Sequence, residues 1–359
     1  MPCAFFRLVS SNIFLFIVTN KLLLLGDWCQ TLPVIPRGYK SDIIAACLTQ
    51  ASFWPTVHNL HLKTNMRVLH ANLSPAERNQ ANEFANWLLS IGNGLTDDLD
   101  NQRVTLPADI LLPPGKASIP TLINSVYGDI DVDRTESEQL QYLSDCAILA
   151  PRNRDVDDLN SSILDNMPGP TEIFPSADSA VDPSGSGIAS TTLYPTEFLN
   201  SINIGGFPLH RLALKVGCPI MLLRNLDPTT GMCNGTRLIV SQMSRRVIEA
   251  IIMCGPHAGE HCFIPRIPLS SSDNSQLPFN LQRLQFPVRL AFAMSINKAQ
   301  GQSLRHLGLF LLDEVFSHGQ LYVALSRATE CSGIIALLNN TEAGMQNTTK
   351  NVVYKEILP

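Results

Sequence analysis

The sequence predicts an α/β fold, on three observations. The stretch Phe292–Ala328 alternates an apolar strand-like segment, a polar loop, an apolar run and an apolar helix start, as strands connected through helices do. Cys146–Ala150 is an unbroken apolar run followed by a turn and the helical spacing of Val156–Leu164. Unbroken apolar runs are how strands buried on both faces read. Between residues 212 and 285 the pattern changes to short β-type runs separated by turn signals, which fits a small barrel. With 359 residues, 45% of them hydrophobic, the chain has length for about two to three domains with packed cores.

In chain order, residues 1–25 are apolar, but the runs Ile13–Val18 and Leu22–Leu25 are broken by Thr19, Asn20 and Lys21. A spanning helix needs about 20 unbroken residues, and no small-residue cleavage site follows. Neither a membrane segment nor a secretion signal is expected, and Leu22–Leu25 reads as a buried parallel strand leading into the Gly26-Asp27 loop. Ligands of α/β sheets sit at the carboxyl ends of strands, so Gln30 is placed to reach a nucleotide or its attacking water. Ser41–Ala51 has helical spacing, Val57–Leu62 reads as a strand, and Thr64–Arg67 as the loop beyond it. An Arg in such a place is by itself most simply a surface ion pair.

Residues 74–91 form the clearest helix. Ser74 is a cap, Pro75 suits the first turn, and Glu77 stands three residues past the Ser. Phe84, Trp87, Leu88 and Ile91 share one face and predict core rather than a base-stacking platform. Gly92–Gly94 ends the helix. A polar, Pro-containing stretch then runs to Ser118, and Asp129–Glu138 reads as a solvated acidic loop. Pro168–Gly187 reads as a flexible connector. Tyr194–Leu199 leads to a turn at Gly205–Pro208, and the barrel strands are expected at Pro219–Leu223, Gly235–Val240, Val247–Met253 and Cys262–Pro265. The tail beyond Asn339 is polar and expected to fray.

The formal net charge is −5, which excludes a uniformly basic nucleic-acid coat. Residues 73–180 carry 6 basic and 18 acidic groups, whereas residues 205–267 carry 7 basic and 3 acidic. Phosphate contact needs local positive potential, so the second region is the better strand-binding candidate; a solvated acidic face beside an ordinary one fits the counts equally. The nine cysteines include no Cys-x-x-Cys pair, which suggests reduced thiols rather than a disulfide framework. Cys254, His257, His261 and Cys262 bunch on a predicted hairpin, but without the spacing of a zinc site, and no metal is expected there.

The chemistry concentrates in Phe292–Ala328. Lys298, Gln300, Gly301 and Gln302 follow the strand-like segment directly, and Arg327 closes the helix start. A Gly lets backbone approach a phosphate, and a fixed guanidinium neutralises charge that develops in phosphoryl transfer. A buried βαβ unit with incidental polar residues has the same spacing. His318, in the turn FSHGQ, reads as structural rather than as a base.

These two segments resemble motifs V and VI of superfamily 1 DNA helicases, most closely the Pif-type branch that includes the helicase domain of Helitron transposons. GDWCQTLPVIPRG (Gly26–Gly38) resembles motif III, LHLKTNMR (Leu60–Arg67) motif IV, and LALKVGCPIMLLRNLDPTTGMCNGTRLIV (Leu212–Val240) the signature of that family's small inserted barrel. The resemblance implies a RecA-like second motor domain at 141–211 and 286–337, with an SH3-like insert at 212–285. It also implies a remnant of the first RecA-like domain at 1–67, a helical and loop connector at 68–140, and a tail at 338–359. It implies ATP-dependent 5′-to-3′ DNA unwinding with ATP and Mg²⁺ in the intact family, in a nuclear or alternatively mitochondrial setting, with single-stranded DNA as partner. Gln30, Arg67 and Arg327 would then serve catalysis, and Gln300, Gly301 and Gln302 would bind nucleotide. Ser295, Asn297 and Lys298 would face single-stranded DNA. Cys29 stands where relatives often carry Arg, and Ser295 where they carry Thr.

No Gly-x-x-x-x-Gly-Lys-Ser/Thr loop occurs in the sequence; Gly115-Lys116 is followed by Ala117. Such a loop cradles the phosphates and its hydroxyl holds Mg²⁺. No metal-binding Asp-Glu precedes motif III, and Asp313 and Glu314 read as strand-end charges. The expectation is a chain that begins just ahead of motif III, lacks its own Mg²⁺ site and does not turn over ATP alone, unless a separate chain supplies the first motor domain. The alternatives are a non-enzymatic single-stranded-DNA-binding or interaction fragment, and a transposon relic.

Overall fold

The computed structural model describes residues 5–7, 14–18, 21–35, 38–62, 64, 74–95, 102–130, 134–181, 194–271, 277–339 and 347–358. It contains two compact units, Met1–Leu122 with Ser295–Pro359, and Ile123–Met294.

In the first unit the strands His306–Leu311 and Ile334–Leu338 pair in parallel, with Leu307 opposite Ile334 and Leu311 opposite Leu338. Their apolar side chains are almost wholly buried, as the unbroken run predicts for a parallel pair covered on both faces. Leu111 bridges Ala336 on the outer side of Ile334–Leu338. Glu314, just past the first of these strands, pairs with Arg103 at 2.6 Å, in keeping with its reading as a strand-end charge. The helix Pro75–Gly92 starts with the expected reciprocal cap: Ser74 Oγ accepts from the Glu77 N–H, and the Glu77 carboxylate accepts from the Ser74 N–H. Leu88 and Ile91 are buried and Phe84 and Trp87 half-buried. The short helix Gln320–Leu325 carries five buried residues out of six, so it is an interior element held by packing rather than by propensity.

Several expectations for this unit need correction. Lys21–Leu25 is a strand, but it runs antiparallel to Phe14–Val18, which pairs in turn with Phe5–Arg7. Two residues separate the first pair, a connection that only antiparallel strands can make; an apolar run by itself carries no direction. Leu25 is exposed rather than buried. The helix expected at Ser41–Ala51 ends at Ala45, and a 3₁₀ turn follows at Leu48–Gln50. Val57–Leu62 is not a strand. Leu60 and Leu62 are 87% and 94% exposed, and no described strand takes up that segment's backbone hydrogen bonds, which local sequence does not provide. The tail is not frayed where it is described. Thr348–Lys350 pairs antiparallel with Arg103–Thr105, and Thr349, Asn351 and Ile357 are buried. A ladder uses backbone groups, so polar side chains do not forbid it.

The second unit contains the strand Cys146–Ala150, buried throughout as expected, followed by the helix Asn153–Asn166. Asn160 on that helix copies a strand edge: its amide donates to Ala293 O at 3.0 Å and accepts from Ala293 N at 2.9 Å. The β-rich region forms a five-stranded antiparallel sheet in the order His261–Pro265, Val247–Ile252, Arg237–Met243, Pro219–Leu222, Val288–Leu290. Asp227-Pro228, Asn234-Gly235 and Pro256 fall in the connections between these strands, where Pro, Gly and Asn favour turns. The segment expected as a flexible connector instead supplies the strands Glu172–Pro175 and Ala177–Val181. Their partners, Arg211–Leu214 and Asn280–Gln285, lie too far along the chain for local pattern to reveal. The acidic loop expected at Asp129–Glu138 ends in a helix, Glu136–Asp145. Thr135 and Glu138 form a capping box there, a signal present in the sequence.

Three cations of this unit are internal. Arg237, 2% exposed, donates to the carbonyls of Leu143, Cys146 and Ala291. Lys215 donates to Met167 O. Arg283 makes a buried pair with Asp178 at 2.6 Å and donates to Pro208 O and Leu199 O.

Candidate nucleotide site

The loop after Leu25 is built around Asp27. Its Oδ1 accepts from the Cys29 N–H at 3.0 Å, the local turn that Asp favours. Its Oδ2 accepts from Gln30 Nε2 at 3.0 Å and from the Tyr322 hydroxyl at 3.2 Å. With its amide nitrogen spent on Asp27, Gln30 turns Oε1 toward the polar loop after Ser295, where Gln300 Nε2 donates to it at 3.4 Å. Gln300 Nε2 also donates to Thr31 Oγ1 at 2.9 Å. Gln30 and Gln300 are 270 positions apart in the chain, and one amide network joins them. Gly301 turns the loop with φ +79°, its Cα facing open space.

Arg327 stands behind that loop. It is 5% exposed; Nη1 donates to Gln302 O at 3.2 Å, Nε to Val323 O at 3.0 Å and Nη2 to Ser326 Oγ at 2.8 Å. In this arrangement the guanidinium pins the loop carbonyl to the end of the helix. Gln320 works alike: Oε1 accepts from the Phe316 and Ser317 N–H groups, while Nε2 donates to Asn297 Oδ1 at 3.5 Å. Ser295 and Lys298 are half-buried and Asn297 is exposed on the same segment. Arg67 lies outside the described residues.

Two model-to-sequence matches bear on this site and its neighbour. The family described as PIF1-like helicase matches residues 18–102, and the DNA helicase Pif1 2B domain matches residues 197–243. The ATP-dependent DNA helicase Pif1 of Campylobacter jejuni is 26% identical over 90% of this chain and 65% of its own length. The human ATP-dependent DNA helicase PIF1 is 37% identical over 35% of this chain and 19% of its own length. The chain resembles Pif1-like helicases over these segments. The crystal structure of Candida albicans Pif1 superimposes with TM-score 0.55 at 20% identity, over 92% of this chain and 66% of that one. A Bacteroides Pif1 bound to single-stranded DNA gives 0.53 at 20%, over 89% and 62%. These superpositions show a shared mixed α/β fold with parallel strands. The chain spans about two thirds or less of the relatives it matches.

No signal in the sequence marks Asp27, Tyr322, Gln320 and Gly319 as builders of the site. Gly319 has φ +71°, and a Cβ there would lie 2.3 Å from Cys29 O, so the helix start and the Gly26–Thr31 loop touch backbone to backbone. His318 bridges them too. Its Nδ1 accepts from the Tyr354 N–H at 2.8 Å, which leaves Nε2 to donate to Trp28 O at 2.8 Å. Both ring nitrogens are thus engaged by backbone, and burial holds the imidazole pKa below its ordinary value, in keeping with the structural role read for it. Burial and then the Asp27 charge push the Cys29 thiol up to about 12 and raise the Tyr322 phenol. Neither is a nucleophile at neutral pH. Among the described residues no group of three or more His, Cys, Asp or Glu side chains is arranged to hold a metal ion.

Proposed function

We propose that the chain is the part of an ATP-dependent, 5′-to-3′ DNA helicase that forms one wall of the nucleotide site. The Gln30–Gln300 contact carries this reading, because it joins on one network two amides that a family resemblance assigns to the nucleotide site, next to the Gly301 turn. Gln30, Gln300 and Gln302 supply amide groups for phosphate oxygens or attacking water, and Gly301 admits close backbone approach. Arg67 and Arg327 serve the developing charge, Arg327 after exchanging the carbonyl of Gln302 for a phosphate oxygen. Ser295, Asn297 and Lys298 track the backbone of single-stranded DNA. The SH3-like insert corresponds to 212–285. The phosphate-cradling loop and the Mg²⁺ ligands are to come from protein outside these 359 residues, whether a longer chain or a partner. The setting is nuclear or mitochondrial DNA; among the described residues no helix is long and apolar enough to cross a membrane.

The test is phosphate release with and without oligo(dT), paired with oligo(dT) binding. The 359-residue chain alone is expected to bind the oligonucleotide and to show no DNA-stimulated release. Stimulated release at helicase-like rates would overturn the division of labour proposed here. A second reading, a non-enzymatic single-strand-binding module, is favoured by the full engagement of the Arg327 nitrogens. Adding a Pif1-type first motor domain in trans discriminates the two: release that then depends on Gln300 supports the motor.

A further inference from the structure

Seven basic residues fall between 205 and 267: two are buried, two half-buried, and Arg211, Arg245 and Arg246 are exposed. Arg237 and Lys215 are buried on backbone carbonyls. Arg224 donates to Gly206 O and Leu223 O. Arg266 donates to Pro175 O and lies over the Phe286 ring, 4.9 Å from its centroid. Arg245 and Arg246 differ. They are exposed, they make up the turn between the strands Arg237–Met243 and Val247–Ile252, and their side chains have no hydrogen bond or ion pair to the described residues. Ser244 braces the turn, its N–H and hydroxyl both donating to Val247 O at 2.9 Å.

The sheet beside that turn has a solvent face. Side chains alternate along strands, and His261–Pro265 follows an exposed–buried alternation in which Cys262 and Ile264 enter the core. His261, Phe263 and Pro265 therefore point outward, with Val247 and Glu249 opposite Pro265 and Phe263 in register. Phe263 is 63% exposed, a large aromatic on the edge strand of the sheet, directly opposite Glu249 and two residues from Pro265. Glu249, level with Phe263, is held 3.0 Å from His261 Nδ1, and Glu136 lies 3.7 Å from His261 Nε2, so the carboxylates of this face gather on His261. An aromatic on a sheet face with unpaired guanidinium groups at its margin is the combination that takes unstacked bases and their phosphates.

We infer that this face is a single-strand binding platform, with Phe263 stacking a base and Arg245 and Arg246 contacting phosphates. It rests on the reading of the chain as a single-strand-binding protein and adds a surface separate from Ser295, Asn297 and Lys298. An acidic peptide also fits the arginines, but it has no flat ring to lay on Phe263, so nucleic acid is the better match.

The experiment is anisotropy of fluorescein-labelled oligo(dT) across a salt series, with photo-crosslinking of a 5-iodouracil oligonucleotide mapped by mass spectrometry. Expected are a crosslink in the peptide carrying Phe263 and binding weakened about tenfold by Phe263→Ala with unchanged salt slope, restored by Phe263→Trp. Arg245→Gln with Arg246→Gln is expected to flatten the slope of log affinity against log salt by about 1.4. Both positions are exposed, so circular dichroism is expected to match the parent chain. Unaltered binding in these variants with loss in Lys298→Ala overturns this inference and spares the nucleotide-site reading. Loss here with Lys298→Ala unaffected does the reverse. No oligo(dT) binding at all, or equal binding of an oligoglutamate peptide insensitive to Phe263→Ala, also overturns the platform.

Discussion

The Tyr322 hydroxyl donates to the Asp27 carboxylate at 3.2 Å, tying the helix Gln320–Leu325 to the loop that presents Gln30. The same carboxylate oxygen receives Gln30 Nε2, so the bond also sets which way the Gln30 amide faces. Tyr322→Phe is expected to lower stability by about 1.5 to 3 kcal/mol, the range for a hydrogen bond to a charged group, read from denaturant midpoints. If the proposed site is right, this variant also weakens nucleotide binding in the assembled motor, whereas a purely structural bond leaves binding unchanged.

Gly319 and Gly301 both have positive φ, but their surroundings differ. A Cβ at Gly319 meets Cys29 O and the Gln30 backbone, while one at Gly301 meets nothing within 4 Å. Gly301→Ala is therefore expected to cost about 1 kcal/mol, the conformational term alone. Gly319→Ala adds a backbone clash that no side-chain movement relieves, and its thermal midpoint is expected to fall well below that of Gly301→Ala.

His318 makes stability depend on pH in one direction. Burial depresses its folded pKa below the ordinary value, so the unfolded chain takes up the proton first as pH falls. The contribution is complete above the unfolded pKa, about 6.5, and is lost as pH drops through the folded one. His318→Asn is expected to be less stable at pH 8, and its thermal midpoint is expected to fall less than the parent's between pH 7 and 5.

Arg237 has no carboxylate partner among its hydrogen bonds, only three carbonyls. Arg237→Met fills similar volume but leaves those acceptors dry, and about 3 kcal/mol or more of stability is expected to go. Urea unfolding of the Ile123–Met294 unit, followed by the exposure of Cys218, measures it. Replacing the exposed Arg245 instead is expected to change stability by less than about 0.5 kcal/mol.

Cysteine labelling at pH 8 checks the packing independently. Burial pushes the Cys29, Cys146 and Cys218 thiols up to about 12, whereas Cys254 is exposed. Iodoacetamide is expected to modify Cys254 in the folded chain and to leave those three unmodified until it unfolds.

Much of the fold was legible because its signals are local. The Ser74–Glu77 cap, the strand Cys146–Ala150, the hairpin turns and the strand-end position of Glu314 all follow from residues within a few positions of one another. The Thr135–Glu138 box was equally local and was overlooked within an acidic run. Val57–Leu62 and the segment after Pro168 failed for another reason. A strand exists only if a second strand meets it, and its partner is chosen by chain that lies far off in sequence. The site divides the same way. Gln30, Gln300, Gly301 and Arg327 stood out as residue types at telling positions, whereas Asp27, Tyr322 and Gly319 matter only through what they touch.

Which chemical groups the chain carries, and in what family order, is written in its residues alone. Which of those groups remain available is not. Arg237 and Lys215 count as positive charge in any tally, yet backbone carbonyls consume them; Arg245 and Arg246 count the same and stay in water. Folding decides this because desolvation and hydrogen-bond saturation are set by neighbours from distant segments, and a linear string does not say which neighbours those are.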